Sequence, residues 1–201
     1  MATVGRPRKF DEDAVLDAAM TVFWQHGYDA TTLAQLREAT GLSSASLYGA
    51  FGSKSELFER AVEHYVTGPG RVTDLVTDPD LSAPEALRRM LYASIAMQSD
   101  PAHPLGCLVA LSATVGADTD EAAAARGAAA RRRQTDRERI TDCVRRGQGA
   151  GELTGDVDAD AIATLVHTFL LGISTQVRDG VPPERLRSAA DACLAPLRVR
   201  T

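Results

Sequence analysis

Along the N-terminal part of the chain, apolar residues recur at the i, i+3, i+4, i+7 spacing of helices that bury one face. Val15, Ala18, Ala19, Val22 and Phe23 form such a stripe. Asp11 stands at the N-cap position before it, Phe10 at the staple position against Val15, and Gly27 at the C-cap. A second helix is predicted from Thr32, where Thr32-Leu33-Ala34-Gln35 has the form of a capping box, burying Leu33 and Leu36 and ending at Gly41. Gly41-Leu42-Ser43 then makes a tight turn into a third helix over Ser43–Phe51, anchored by Leu47 and Phe51. A further capping box, Ser53-Lys54-Ser55-Glu56, opens a fourth helix that runs to about residue 67. Two short helices across a tight turn are a helix-turn-helix.

Beyond residue 67, Gly68-Pro69-Gly70 and the turn-rich Thr77–Ser82 stretch separate this unit from longer helical patterns. Those are predicted near 84–98, 104–115, 119–147, 157–179 and 183–197. The expected organisation is an all-α chain with an arm over 1–9, a helix-turn-helix domain over 10–67 and a larger helical domain over 68–201. Few aromatics (5%) and the lack of alternating β-branched runs agree with helices throughout. Ala161–Val177 is uncharged, but His167, Gln176 and its hydroxyl residues fit a buried helix better than a bilayer span. No membrane partner is expected, and the N-terminus lacks the apolar core of a signal peptide.

Charge narrows the role of the first domain. The net charge is −5, and residues 1–67 carry six Lys/Arg against nine Asp/Glu, which excludes a uniformly basic nucleic-acid coat. DNA contact must therefore be local. Arg6, Arg8 and Lys9 form a basic arm suited to phosphates or the minor groove. The third helix offers Ser44, Ala45, Ser46, Tyr48 and Gly49 opposite its anchors, a small polar face that a major groove can admit. Lys54 at a helix start, among free N–H groups, is built to hold a phosphate.

Thr31-Thr32, Gly41-Leu42-Ser43, Leu47-Tyr48, Phe51, Lys54 and Leu57-Phe58 together resemble the DNA-binding signature of the TetR repressor family, over about residues 10 to 67. The resemblance implies that Thr32, Tyr48 and Lys54 contact phosphates. It implies further that Ser43, Ser44, Ala45, Ser46 and Gly49 face bases or backbone. Arg37 and Ala50 depart from the family pattern, at the crossing of the helix pair and just before the Phe. A double-stranded operator, a homodimeric state, an unidentified small-molecule effector and a cytoplasmic, nucleoid-associated location follow from the same resemblance.

For the second domain, convergence of the middle helices picks out Tyr65, Met90, Met97, His103, Cys107, Leu108, Leu111, Gln134, His167 and Phe169 as candidate effector-pocket residues. Leu165, Phe169, Gly172 and Ile173, with Leu186, Ala190 and Leu194 on the last helix, are the candidate dimer surface. The run Arg131-Arg132-Arg133 is expected to be a solvated face. Cys107, Cys143 and Cys193 are odd in number and widely spaced, as reduced core cysteines are, and a redox role would fall to Cys107 with His103 nearby. No metal or cofactor is expected. A transcriptional activator on the same fold is one alternative. A small helical enzyme is the other, but G-x-S-x-G, Walker and H-E-x-x-H patterns are all missing from the sequence.

Overall fold

The computed structural model describes residues 10–112 and 116–197. Among them there are helices and no strand. The first helix, α1 (Glu12–His26), starts where Asp11 accepts from the N–H groups of Asp13 and Ala14 at 3.1 and 3.4 Å, and stops at Gly27. Its buried face is wider than the predicted stripe: Leu16, Met20 and Trp24 are enclosed as well as Val15, Ala19 and Phe23. The cause is that α1 is covered from two sides, by α4 and by the segment around Gly106, whose carbonyl accepts from Trp24 Nε1 at 3.1 Å.

Helices α2 (Leu33–Thr40), α3 (Ser44–Phe51) and α4 (Lys54–Thr67) carry the predicted caps. Thr32 and Gln35 close one capping box, Ser53 and Glu56 the other. Gly41 adopts the left-handed conformation, φ +69°, that lets α2 stop and α3 begin at once. Phe23, Tyr28 and Phe58 meet at centroid distances of 5.1 to 6.2 Å, and with Leu36, Leu47, Phe51 and Leu57 they form the centre of this unit.

A 3₁₀ segment over Arg71–Thr77 lies between the two turn signals, where the sequence predicts no element, and it packs on α5 (Ala83–Gln98). The expected helix over 104–115 is reduced to α6 (Leu108–Leu111), with residues 113–115 outside the described residues. Gly106 at φ +87° breaks the helical path there, and its carbonyl is taken by Trp24 rather than by a helical N–H. The long helices α7 (Asp120–Gly149), α8 (Ala159–Arg178) and α9 (Pro183–Leu194) follow the predicted spans, with a final 3₁₀ turn over Ala195–Leu197. α8 is long and apolar enough to cross a membrane by length and composition alone. Here Ile162, Val166, Leu170 and Ile173 lie in the core shared with α5, α7 and α9.

The apolar cluster of α1–α4 does not close on itself. Leu108 and Val109 of α6, with Ala122, Ala125 and Ala129 of α7, complete it. The alanine run of α7 thus forms a smooth strip against which α4 lies.

Candidate DNA-reading face and interior cavity

Leu47 and Phe51 are buried and fix the roll of α3, which turns Ala45, Ser46, Tyr48 and Gly49 outward. Tyr48 is 37% exposed, one of the few large apolar side chains so presented among the described residues. Gly49 has helical backbone and open space where a Cβ would stand. A glycine inside a helix costs roughly 0.5–1 kcal/mol relative to alanine. No packing requirement within the protein offsets that cost here. Ser43 accepts from Ser46 N–H at 3.1 Å and donates to Ser46 Oγ at 3.0 Å, so these hydroxyls are ordered at the helix start, while Ser44 is half-buried.

Thr32, at the start of α2, donates to Gln35 Oε1 at 2.9 Å and is exposed. Lys54, first residue of α4, lays its ammonium 4.4 Å from the centroid of the Tyr28 ring. Burial lowers the Lys54 pKa, and Asp29 and Glu121 act against that. Burial together with Glu121 and Asp29 pushes the Tyr28 phenol up to about 12, so the ring supporting the ammonium stays neutral. The fold thus holds Lys54 in one place, beside the N-terminus of α4. Arg6, Arg8 and Lys9 lie outside the described residues.

The larger half encloses a cavity of about 30 Å³ between α4, the 3₁₀ segment, α5, α6, α7 and α8. Of the ten sequence candidates, Tyr65, Met97 and Cys107 line it. Tyr65 donates towards Cys107 Sγ at 3.3 Å and Met97 Sδ at 3.7 Å. Met90 and Leu108 lie within the two apolar cores, and half-buried Leu111 approaches Gly106. His103 stacks on Trp24 at 4.4 Å instead of facing Cys107, and exposed Gln134 donates to Glu138 at 2.7 Å. His167 is buried with Nε2 unpartnered, while Phe169 belongs to a groove between α8 and α9. Burial pushes the Cys107 thiol up, against the hydrogen bond from Tyr65.

The sequence reading missed the polar side of this cavity. Asp136 accepts from Arg132 Nη2 at 2.9 Å and from Thr73 Oγ1 at 2.7 Å, and Arg132 also donates to Thr73. Gln98 links Ser94 and Ser174 by 2.7 Å bonds. The arginine run is therefore not a uniform solvated face: Arg131 pairs outward with Glu59, Arg132 turns inward, and Arg133 donates to the Val109 carbonyl at 2.7 Å. The available signal was the Arg132–Asp136 spacing, an i, i+4 pair on one helix face.

Residues 15–61 match the profile described as bacterial regulatory proteins, tetR family, and residues 83–193 match the tetracyclin repressor-like C-terminal domain. The chain belongs to the TetR family. It is 31% identical to the HTH-type transcriptional repressor ComR of Escherichia coli K12, over 94% of this chain and 90% of ComR. It is 27% identical to the HTH-type transcriptional regulator YezE of Bacillus subtilis 168, over 96% of this chain and all (100%) of YezE. Among solved structures it superposes, with a TM-score of 0.86 and 40% identity, on a cysteine mutant of the TetR family regulator CifR complexed with 26-base-pair operator DNA. That match covers 94% of this chain and 98% of the CifR chain.

In this TetR-family chain, the seven candidate dimer residues divide into two sets. Leu165, 49% exposed, half-buried Phe169 and exposed Gly172 face outward from α8. Ile173, Leu186, Ala190 and Leu194 are buried within the protomer's own core, because the single apolar stripe of α9 is spent on α5 and α8. Ile173 and Leu186 nevertheless share, with Phe169, Gly172, Gln176, Val181, Arg185 and Ala189, the lining of a groove between α8 and α9.

Proposed function

We propose that this protein is a dimeric, ligand-responsive transcriptional repressor that reads a pseudo-palindromic operator and leaves it when a small molecule occupies the interior cavity. The observation that carries the reading is the outward face of α3, where Gly49 has no internal packing reason and Tyr48 stands exposed beside small polar residues. Ser43, Ser44, Ala45, Ser46 and Gly49 address the major groove, and Thr32, Tyr48 and Lys54 hold phosphates on either side. The arm with Arg6, Arg8 and Lys9 adds sequence-blind contacts. Operator binding by the similar CifR, and repression by the similar ComR, support the assignment. A second copy covers the α8–α9 groove and sets two α3 helices about 34–36 Å apart, one turn of DNA. The protein acts in the cytoplasm, on the nucleoid. Residues 10–67 act as the reader and 68–201 as the sensor and dimer body.

The test is a footprint on DNA flanking the protein's own coding region, run at two salt concentrations. Protection of a pseudo-palindrome that survives the higher salt is expected. Protection with no sequence preference at either salt overturns the reading.

A further inference from the structure

The lining of the interior cavity specifies the chemical class of what enters it. Tyr65, Val66, Met97, Val109, Leu170 and Leu171 make most of the wall apolar. The charged residues of the lining are Arg132 and Asp136, and they are paired with each other at 2.9 Å. A guest with a net charge would be stripped of water there without a free countercharge, a cost several times larger than one hydrogen bond returns. Among the described lining residues, one buried side-chain nitrogen has no hydrogen-bond partner at all. The buried Nε–H of Arg132 has no acceptor, although Nη2 serves both Asp136 and Thr73. That donor is matched by an oxygen acceptor on an otherwise apolar body.

Size narrows the class further. A volume of about 30 Å³ is room for one or two water molecules. A guest of a few carbons enters by displacing half-buried Met97, whose unbranched thioether repacks readily. Tyr65 cannot yield without moving Trp24, which lies edge-on to it at 4.8 Å. We propose that the cavity is a site for a small neutral molecule bearing a carbonyl, ether or hydroxyl oxygen, with that oxygen accepting from Arg132. This rests on the cavity being the effector site of the proposed repressor, and it adds the ligand's charge and functional group.

Four probes of four heavy atoms each separate the possibilities: acetone, acetate, isopropylammonium and isobutane. Titration of the full-length protein, labelled at its methionine methyls, reads occupancy through Met97, with Met20 of the α1 core as the internal control. Acetone is expected to shift the Met97 methyl and leave Met20 in place, with each of the other three binding about tenfold more weakly or worse. Ala110→Leu, which fills the cavity, should abolish the acetone shift. Asp136→Asn leaves Arg132 uncompensated and should turn the preference to acetate; if that variant does not fold, the wild-type ranking decides alone. Acetate, isopropylammonium or isobutane binding as well as acetone overturns the proposed class, as does silence of all four. Operator affinity, measured by anisotropy on the same samples, separates this from the functional reading. Acetone bound at Met97 without any loss of operator affinity leaves the ligand class standing and removes the effector role. A charged probe that releases operator does the reverse.

Discussion

Gly49 and His167 illustrate how a single side chain can be set against stability. At Gly49 a methyl group meets open space, so Gly49→Ala should raise the unfolding free energy by roughly 0.5–1 kcal/mol. The same methyl stands between α3 and the groove floor, so operator affinity should fall by tenfold or so, about 1.4 kcal/mol. Chemical denaturation and anisotropy titration of one sample measure the two opposite signs; a gain in both would remove Gly49 from the DNA face. His167 works through protonation. Burial lowers its pKa; Asp136 opposes this, while Arg137 and Arg133 add to it. The unfolded chain therefore binds a proton more readily than the folded one, and stability contributed by neutral His167 is lost as pH falls below about 6.5, the ordinary histidine value. His167→Gln should flatten the drop in melting temperature between pH 7 and pH 5 relative to the parent, and an identical drop would show that other groups govern it. Neither effect is readable from sequence, because both depend on what lies opposite the residue: empty space for one, α7 for the other.

At the scale of elements, the starts of α1 to α4 are legible in the sequence because capping is local: Asp11, Thr32, Ser43 and Ser53 each bind an N–H two or three residues away. The 104–115 segment and the 3₁₀ turn after Gly70 are not, since their courses are decided by partners far along the chain. Trp24 takes the carbonyl of Gly106, and Thr73 is fastened to Asp136. The start of α4 yields a prediction of its own. Lys54→Ala should weaken binding to every DNA sequence alike and reduce the slope of log affinity against log salt by about one, the share of a single phosphate. An unchanged slope would mean the ammonium, held over Tyr28, never reaches DNA. The end of α8 yields another. Arg178 donates to the carbonyls of Trp24 and Leu105 at 3.1 and 3.2 Å, tying α8 to α1 and to the loop before α6. Arg178→Ala should leave the molecular mass of the particle in solution unchanged while altering operator affinity, which sedimentation and gel shift read separately.

For the whole molecule, the sequence shows that α8 and α9 are rich in apolar residues but not how that surface is shared between the protomer and a partner. Seven positions look equivalent in the sequence, yet Ile173, Leu186, Ala190 and Leu194 are buried within one protomer while Leu165, Phe169 and Gly172 are exposed or half-buried. Leu165→Asp should therefore yield a folded monomer by sedimentation equilibrium with operator affinity reduced by at least about a hundredfold, since a lone α3 reads only half a site. A dimer that persists would move the interface elsewhere. The alanine strip of α7 carries a different consequence. Ala122, Ala125 and Ala129 belong to the same apolar cluster as Phe23 and Phe58, so the boundary near residue 67 is a boundary in the chain and not in the core. A chimera that joins these first four helices to a foreign C-terminal domain inherits a gap in its hydrophobic wall unless the graft supplies small side chains at the same three places. Compatibility at that seam limits which C-terminal bodies these four helices can exchange in evolution or in the laboratory.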